Sequence, residues 1–151
     1  MKSLLLCLLP VMAVGASAPQ TTPEPKVGES WTYNTRPGEE SSFLVVRKIE
    51  TIPGLGEVAH ISLFKLRLAG PGLLPGQHVE TVGHLPIALA SLRASLREKV
   101  SRYYPGIDWD GGYQTWMAAS KKAGGMGIYT EPVSSCVAIL EKALLRGSVS
   151  R

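Results

Sequence analysis

Past residue 18 the chain holds one cysteine, Cys136, of the two it contains. No disulfide can form within such a domain, so its stability has to come from a packed core. The single asparagine, Asn34, is followed by Thr35-Arg36, which excludes an N-glycosylation sequon. No apolar run after residue 18 approaches bilayer-spanning length. The common catalytic signatures are missing too. There is no Gly-x-Ser-x-Gly, no His-Glu-x-x-His, and no Lys-Ser/Thr behind the glycines at 124–127. Nor does charge of either sign dominate: sixteen basic against twelve acidic residues give a formal net charge of +4. That balance does not call for a nucleic-acid partner. No cofactor is implied.

What is present starts with an address. Residues 1–18, MKSLLLCLLPVMAVGASA, read as a secretory signal peptide. Lys2 is the positive start, Leu4 to Val14 the apolar stretch, and Ala16-Ser17-Ala18 the small-residue cleavage site. Cys7 lies inside the apolar stretch and follows Leu6, so it is no lipid-attachment site. The expected product is periplasmic or secreted, without a stable membrane anchor. Residues 19–28, PQTTPEPKVG, form an extended leader. Residues 29–151 suit one domain with one core.

Five Pro-Gly dipeptides, at 37, 53, 71, 75 and 105, each favour a type II turn. The first four fence off strand-like runs at 30–35, 42–52, 57–68 and 77–82. The apolar phase slips between Leu63 and Leu66, which predicts a β-bulge near Phe64-Lys65. From Leu89 the pattern becomes helical, with Leu89, Leu92, Leu96, Val100 and Tyr103 on one stripe. A second helix follows with Asp110 as its N-cap and ends near Gly124. Residues 127–130 suit a late strand. A last helix starts at Thr130 or Glu131 and carries Val133, Cys136, Val137, Leu140 and Leu144 on one face. The expected fold is α+β: an antiparallel meander of three to four strands, then two to three helices on one face of the sheet, with one late strand.

The candidates for chemistry are few. His78 and Glu80 share a strand face and His84 follows, a weak metal set without the spacing of a known ligand motif. Ser62 and Lys65 match a serine–lysine pair in letters. Strand alternation sends them to opposite faces unless the bulge intervenes, and the companion motifs are absent. Asp108, Asp110 and Gly111 match part of a calcium loop, but Gly106 and Met117 fall where its first and last ligands belong. Cys136 reads as a small buried hydrophobe. Tyr103, Tyr104, Trp109, Tyr113 and Trp116 concentrate aromatic area within fourteen residues. Tyr103 and Trp116 continue apolar stripes and belong to the core; Tyr104 and Trp109 are candidate contact residues. The turn Arg36-Pro37-Gly38-Glu39-Glu40 offers both charge signs, which makes Arg36, Glu39 and Glu40 candidate partner contacts.

The run VGESWTYNTRPGEESSFLVVRKIE (27–50), with VAHISL (58–63) and HLPIALASLR (84–93), resembles a family of small exported bacterial proteins without an assigned function. The specific part is WTYNTRPGEE, residues 31–40. The resemblance implies a bacterial origin, a single small domain, and a polar residue where Ala88 stands. It brings no catalytic residue with it. The leading expectation is therefore a protein-binding module of the bacterial envelope, such as an immunity protein, an inhibitor or an accessory factor. The alternative is a small hydrolytic or metal-dependent enzyme using His60, His78 or His84 with Glu80. A third reading, membrane-surface association through Arg93, Arg97, Lys99 and Arg102, needs the apolar stripe that the core also needs.

Overall fold

The computed structural model describes residues 23–124 and 127–147. The signal peptide read at residues 1–18 lies outside the described residues. Four strands come first: β1 (Ser30–Tyr33), β2 (Phe43–Ile52), β3 (Gly56–Leu68) and β4 (Val79–Ala88). A short helix α1 (Leu89–Ser95) leads into β5 (Leu96–Val100), and α2 (Trp109–Ala123) and α3 (Val133–Gly147) follow. The strands form one antiparallel sheet in the order β4-β3-β2-β1-β5. The fold is α+β, with a meander before the helices.

One face of the sheet carries Leu44, Val46, Ala59, Ile61, Leu63, Leu85 and Ile87, all fully or almost fully buried. Leu89 and Leu92 of α1 and Val133, Cys136 and Val137 of α3 close over it. This is the main core, and large apolar side chains buried there contribute about 1.5–3 kcal/mol each. Helix α2 does not join it. Its Tyr113 and Trp116 pack on His60 and His84, on the opposite face, so the helices sandwich the sheet instead of sharing one face. The approach of α2 is close: a Cβ on Gly112 would lie 2.6 Å from the Cβ of His84.

Three irregularities set the register of β2, β3 and β4, and a fourth shifts the pairing of β1 with β5 between Trp31 and Tyr33. The expected bulge is present, with Lys65 at φ 56° and a pairing shift between Phe64 and Leu68. A second shift, between Ile61 and Leu63, puts an extra residue into β4 at Gly83. A third sits in β2: Val46 faces Ile61 and Lys48 faces His60, which leaves Arg47 as the extra residue. Side chains alternate along a strand, so that insertion moves Lys48 and Glu50 to the face of His60.

The helical stripe expected from Leu89 to Tyr103 breaks at Ser95. Leu96 is extended, and residues 96–100 pair with β1. Thr32 Oγ1 donates to Glu98 O and accepts from Glu98 N across that pairing. Tertiary pairing overrides local helical propensity here. Tyr103 consequently leaves the core and is 91% exposed. The basic residues are no longer one helix face either: Arg93 pairs with Glu24, Lys99 with Glu29, and Arg102 donates to Ser41 O. No helix among the described residues is long and apolar enough to cross a membrane. The N-cap of α2 is Asp108 rather than Asp110, accepting from Gly111 N at 2.8 Å. The strand expected at 127–130 is a single parallel bridge of Tyr129 with Ile87. The late strand is β5.

Helix α3 is fastened to the sheet by a polar clamp. Arg36 donates from Nε and Nη2 to both oxygens of Glu39, at 2.9 and 2.8 Å, and from Nη1 to Glu141 on α3 at 2.7 Å. Glu39 also accepts from Arg67 N and Glu141 from Ala69 N. Glu39 is 2% exposed. Burial pushes its pKa up, but the hydrogen bonds from Arg36 and Arg67 outweigh that and keep it ionised. Removing one partner strands the others. Glu39→Ala is expected to cost about 3 kcal/mol. Urea denaturation checks this as a lowered midpoint at unchanged slope.

Candidate functional site

Two features meet at β4: a part-buried hydrogen-bond relay and an open trough. The relay begins at Glu50. Its Oε2 pairs with Lys48 Nζ at 2.7 Å, and its Oε1 accepts from Tyr113 OH at 3.0 Å. Lys48 also donates to Tyr113 OH at 2.6 Å. Glu50 Oε1 then meets His60 Nε2 at 2.9 Å, and His60 Nδ1 meets His84 Nε2 at 2.9 Å. The two imidazole rings are nearly parallel, with planes 13° apart and centroids 5.1 Å apart. Tyr113 and Trp116 close on them edge-on or tilted.

Electrostatics fix the state of the relay. Burial raises the Glu50 pKa, but the hydrogen bonds from Lys48, Tyr113 and His60 outweigh burial and keep the carboxylate ionised. Burial lowers the His60 pKa, and Glu50 opposes this only in part. Burial, then the neighbouring His60, brings His84 down to about 4. Both imidazoles are therefore neutral at neutral pH.

The trough follows the outer edge of β4. Two clefts, of about 570 and 430 Å³, share Leu140 of α3. Val79, Thr81, Val82, Ala143 and Leu144 line the larger, and His84, Pro86, Trp116 and Tyr129 the smaller. The smaller cleft thus takes residues from both faces of the sheet, with α2 on one side and α3 on the other. Tyr129 covers the end of the edge: its N–H donates to Pro86 O, and its carbonyl accepts from Ala88 N. Trp116 Nε1 holds the same segment through Gly127 O at 2.8 Å. Upstream, among the described residues, no backbone partner reaches the outer edge of 79–85. The opposite edge of the sheet is handled differently. There β5 is short and exposes Arg97, Glu98 and Lys99, charges that discourage further pairing.

The residues singled out from sequence are scattered. Arg36 and Glu39 are engaged in the clamp on α3, Glu39 buried and Arg36 partly exposed. Glu40 is exposed and accepts from Gly38 N. Tyr104 is half-buried against Phe64, with the Arg47 guanidinium 5.1 Å from its ring centroid. Trp109 is half-buried beside Tyr113. The metal set does not assemble: His78 lies beside Arg67, Glu80 is exposed, and His84 bonds to His60. Among the described residues no group of three or more His, Cys, Asp or Glu side chains is arranged to hold a metal ion. Cys136 is buried, and burial pushes its thiol pKa up to about 11. Tyr113, part of the aromatic run, bonds Glu50 rather than a partner, and neither Glu50 nor the edge of β4 belongs to any sequence motif. The jump from Val46 to Ile49 in the apolar pattern was the available signal for Glu50.

The relay makes stability depend on pH. The folded pKa values of both histidines lie below the ordinary 6.5, so the unfolded chain binds more protons as pH falls below that value. The stabilising effect is present above pH 6.5 and is lost as pH falls toward about 4. Glu39, Glu50 and Glu141 lose their contributions only below their ordinary 4.5, so the upper part of the interval isolates the imidazoles. A loss on the order of 2 kcal/mol is expected across it. Denaturation midpoints at stepwise lower pH measure this, and His84→Gln should flatten the slope. Comparison of the chain with protein-family models, with curated proteins and with solved structures finds no match.

Proposed function

We propose that this is an exported protein-binding module of the bacterial envelope, and that it takes an extended segment of a partner protein onto the free edge of β4. The carrying observation is the outer edge of β4 at 79–85, which no backbone group among the described residues pairs and which lies beside an apolar trough between two helices. An apolar small molecule would fill the trough and leave the backbone groups unpaired. An added strand pairs them and sends alternate side chains toward α3 and α2. Leu144, exposed on α3, and Val79 offer the apolar contact on one side, and Trp116 offers it on the other.

The binding reading draws more support than the enzymatic alternative. A general base works best with a pKa near the working pH. His84, held near 4, is a weak base at neutral pH, and it bonds to no serine, threonine or cysteine among the described residues. A neutral, half-buried imidazole is better suited to recognition.

A displayed library of random peptides, panned against the whole chain, tests the proposal. The selected peptides should alternate apolar residues. When bound, they should slow amide hydrogen exchange within 79–85. Leu144→Glu should weaken them by about tenfold, and Tyr104→Ala should leave them unchanged. Selected peptides that protect amides elsewhere, or a library that yields none, would overturn it.

A further inference from the structure

The relay beneath the trough has a direction. An ionised carboxylate only accepts hydrogen bonds, so His60 must present Nε2–H to Glu50. In a neutral imidazole the other nitrogen is then an acceptor. His60 Nδ1 accepts, so His84 Nε2 carries the proton that donates to it. The remaining nitrogen, His84 Nδ1, is left with a lone pair. No described residue donates to it. His84 is only half-buried, and its Nδ1 is not among the fully buried unpartnered side-chain atoms of the described residues. His84 lines the smaller cleft of the trough.

We infer that Glu50, acting through His60, fixes His84 Nδ1 as a hydrogen-bond acceptor on the wall of the trough, and that the bound segment presents an uncharged donor there, a hydroxyl or an N–H. The second half rests on the strand-addition reading; the first does not. A carboxylate at this position would set lone pair against lone pair. An ammonium group would be desolvated among Trp116, Leu140 and Pro86 without an anion to pair with, because Glu50 is already engaged.

Long-range proton–nitrogen correlation spectra of the whole chain at neutral pH read each ring nitrogen directly. Both histidines should be protonated at Nε2 and bare at Nδ1. A proton on His84 Nδ1, or a cationic ring, overturns the assignment whether or not any peptide binds. Glu50→Gln gives a second reading. Lys48 holds the amide oxygen, which turns the amide N–H groups toward His60 and reverses the relay. His84 Nδ1 should then carry the proton, and unchanged ring nitrogens would overturn the role given to Glu50. The selected peptides supply the third. Replacing the hydroxyl or N–H side chain that contacts His84 with alanine should weaken binding by about tenfold, and with aspartate by more. In the Glu50→Gln protein the preference should swing toward an acceptor. Peptides that bind on β4 but tolerate both replacements sink the donor requirement and leave the strand reading standing. A library yielding no binder sinks the strand reading and the donor requirement with it, and the spectra still decide the direction of the relay.

Discussion

One inserted residue governs the far side of this sheet. Without Arg47 as an extra residue, strand alternation would keep Lys48 and Glu50 on the face of Leu44 and Val46, inside the apolar core. With it, both turn to the face of His60. His60 is fully buried, so each of its nitrogens needs a partner, and an orphaned buried group costs about 1–3 kcal/mol. Glu50 meets one nitrogen and His84 the other. Tyr113 bonds the same carboxylate, which docks α2 on a surface that apolar packing alone would not cover. The bulge thus decides both where the polar network lies and where the second layer of helix sits.

The two helices beside the β4 edge are held by unlike means. Helix α2 is held by the relay and by the close approach of Gly112 to His84. Helix α3 is held by its apolar stripe and by Glu141, which ties Arg36 and Ala69 to it. Neither attachment uses the outer backbone of β4. Both walls are thus tied to the sheet while, among the described residues, nothing pairs the outer edge of 79–85, an edge that a sheet avoiding aggregation keeps covered or blunted. The charged residues of β5 show the same chain blunting its other edge.

Local rules carried much of the fold. Pro-Gly turns placed the strand boundaries, and the phase slip at Leu63 and Leu66 pointed to the bulge at Lys65. The apolar spacing of Val133, Cys136 and Val137 identified the buried face of α3. What failed needed knowledge of partners distant in sequence. Residues 96–100 look helical by themselves, yet the free side of β1 pairs with them. Arg36 and Glu39 look like a solvated turn until α3 arrives with Glu141. The site was harder still. His60 and His84 converge only if β3 and β4 pair in this register, and Glu50 joins them only through the bulge at Arg47. A three-residue apolar jump, Val46 to Ile49, was the one local trace of it.

The burial that makes His84 a poor base also makes it a selective acceptor. A solvated imidazole near its ordinary pKa of 6.5 exchanges tautomers and charge states at neutral pH, and so accepts or donates as the ligand requires. Pushed to about 4 and anchored through His60 to an ionised Glu50, the ring keeps one tautomer and no charge. Its free nitrogen then has a single role. A strand on an open sheet edge gains affinity from backbone pairing that any sequence can make, so discrimination has to come from side-chain positions. In this trough most of those positions are apolar and tolerant of size. The fixed lone pair is the exception, since an unmatched acceptor there penalises every segment that brings the wrong group.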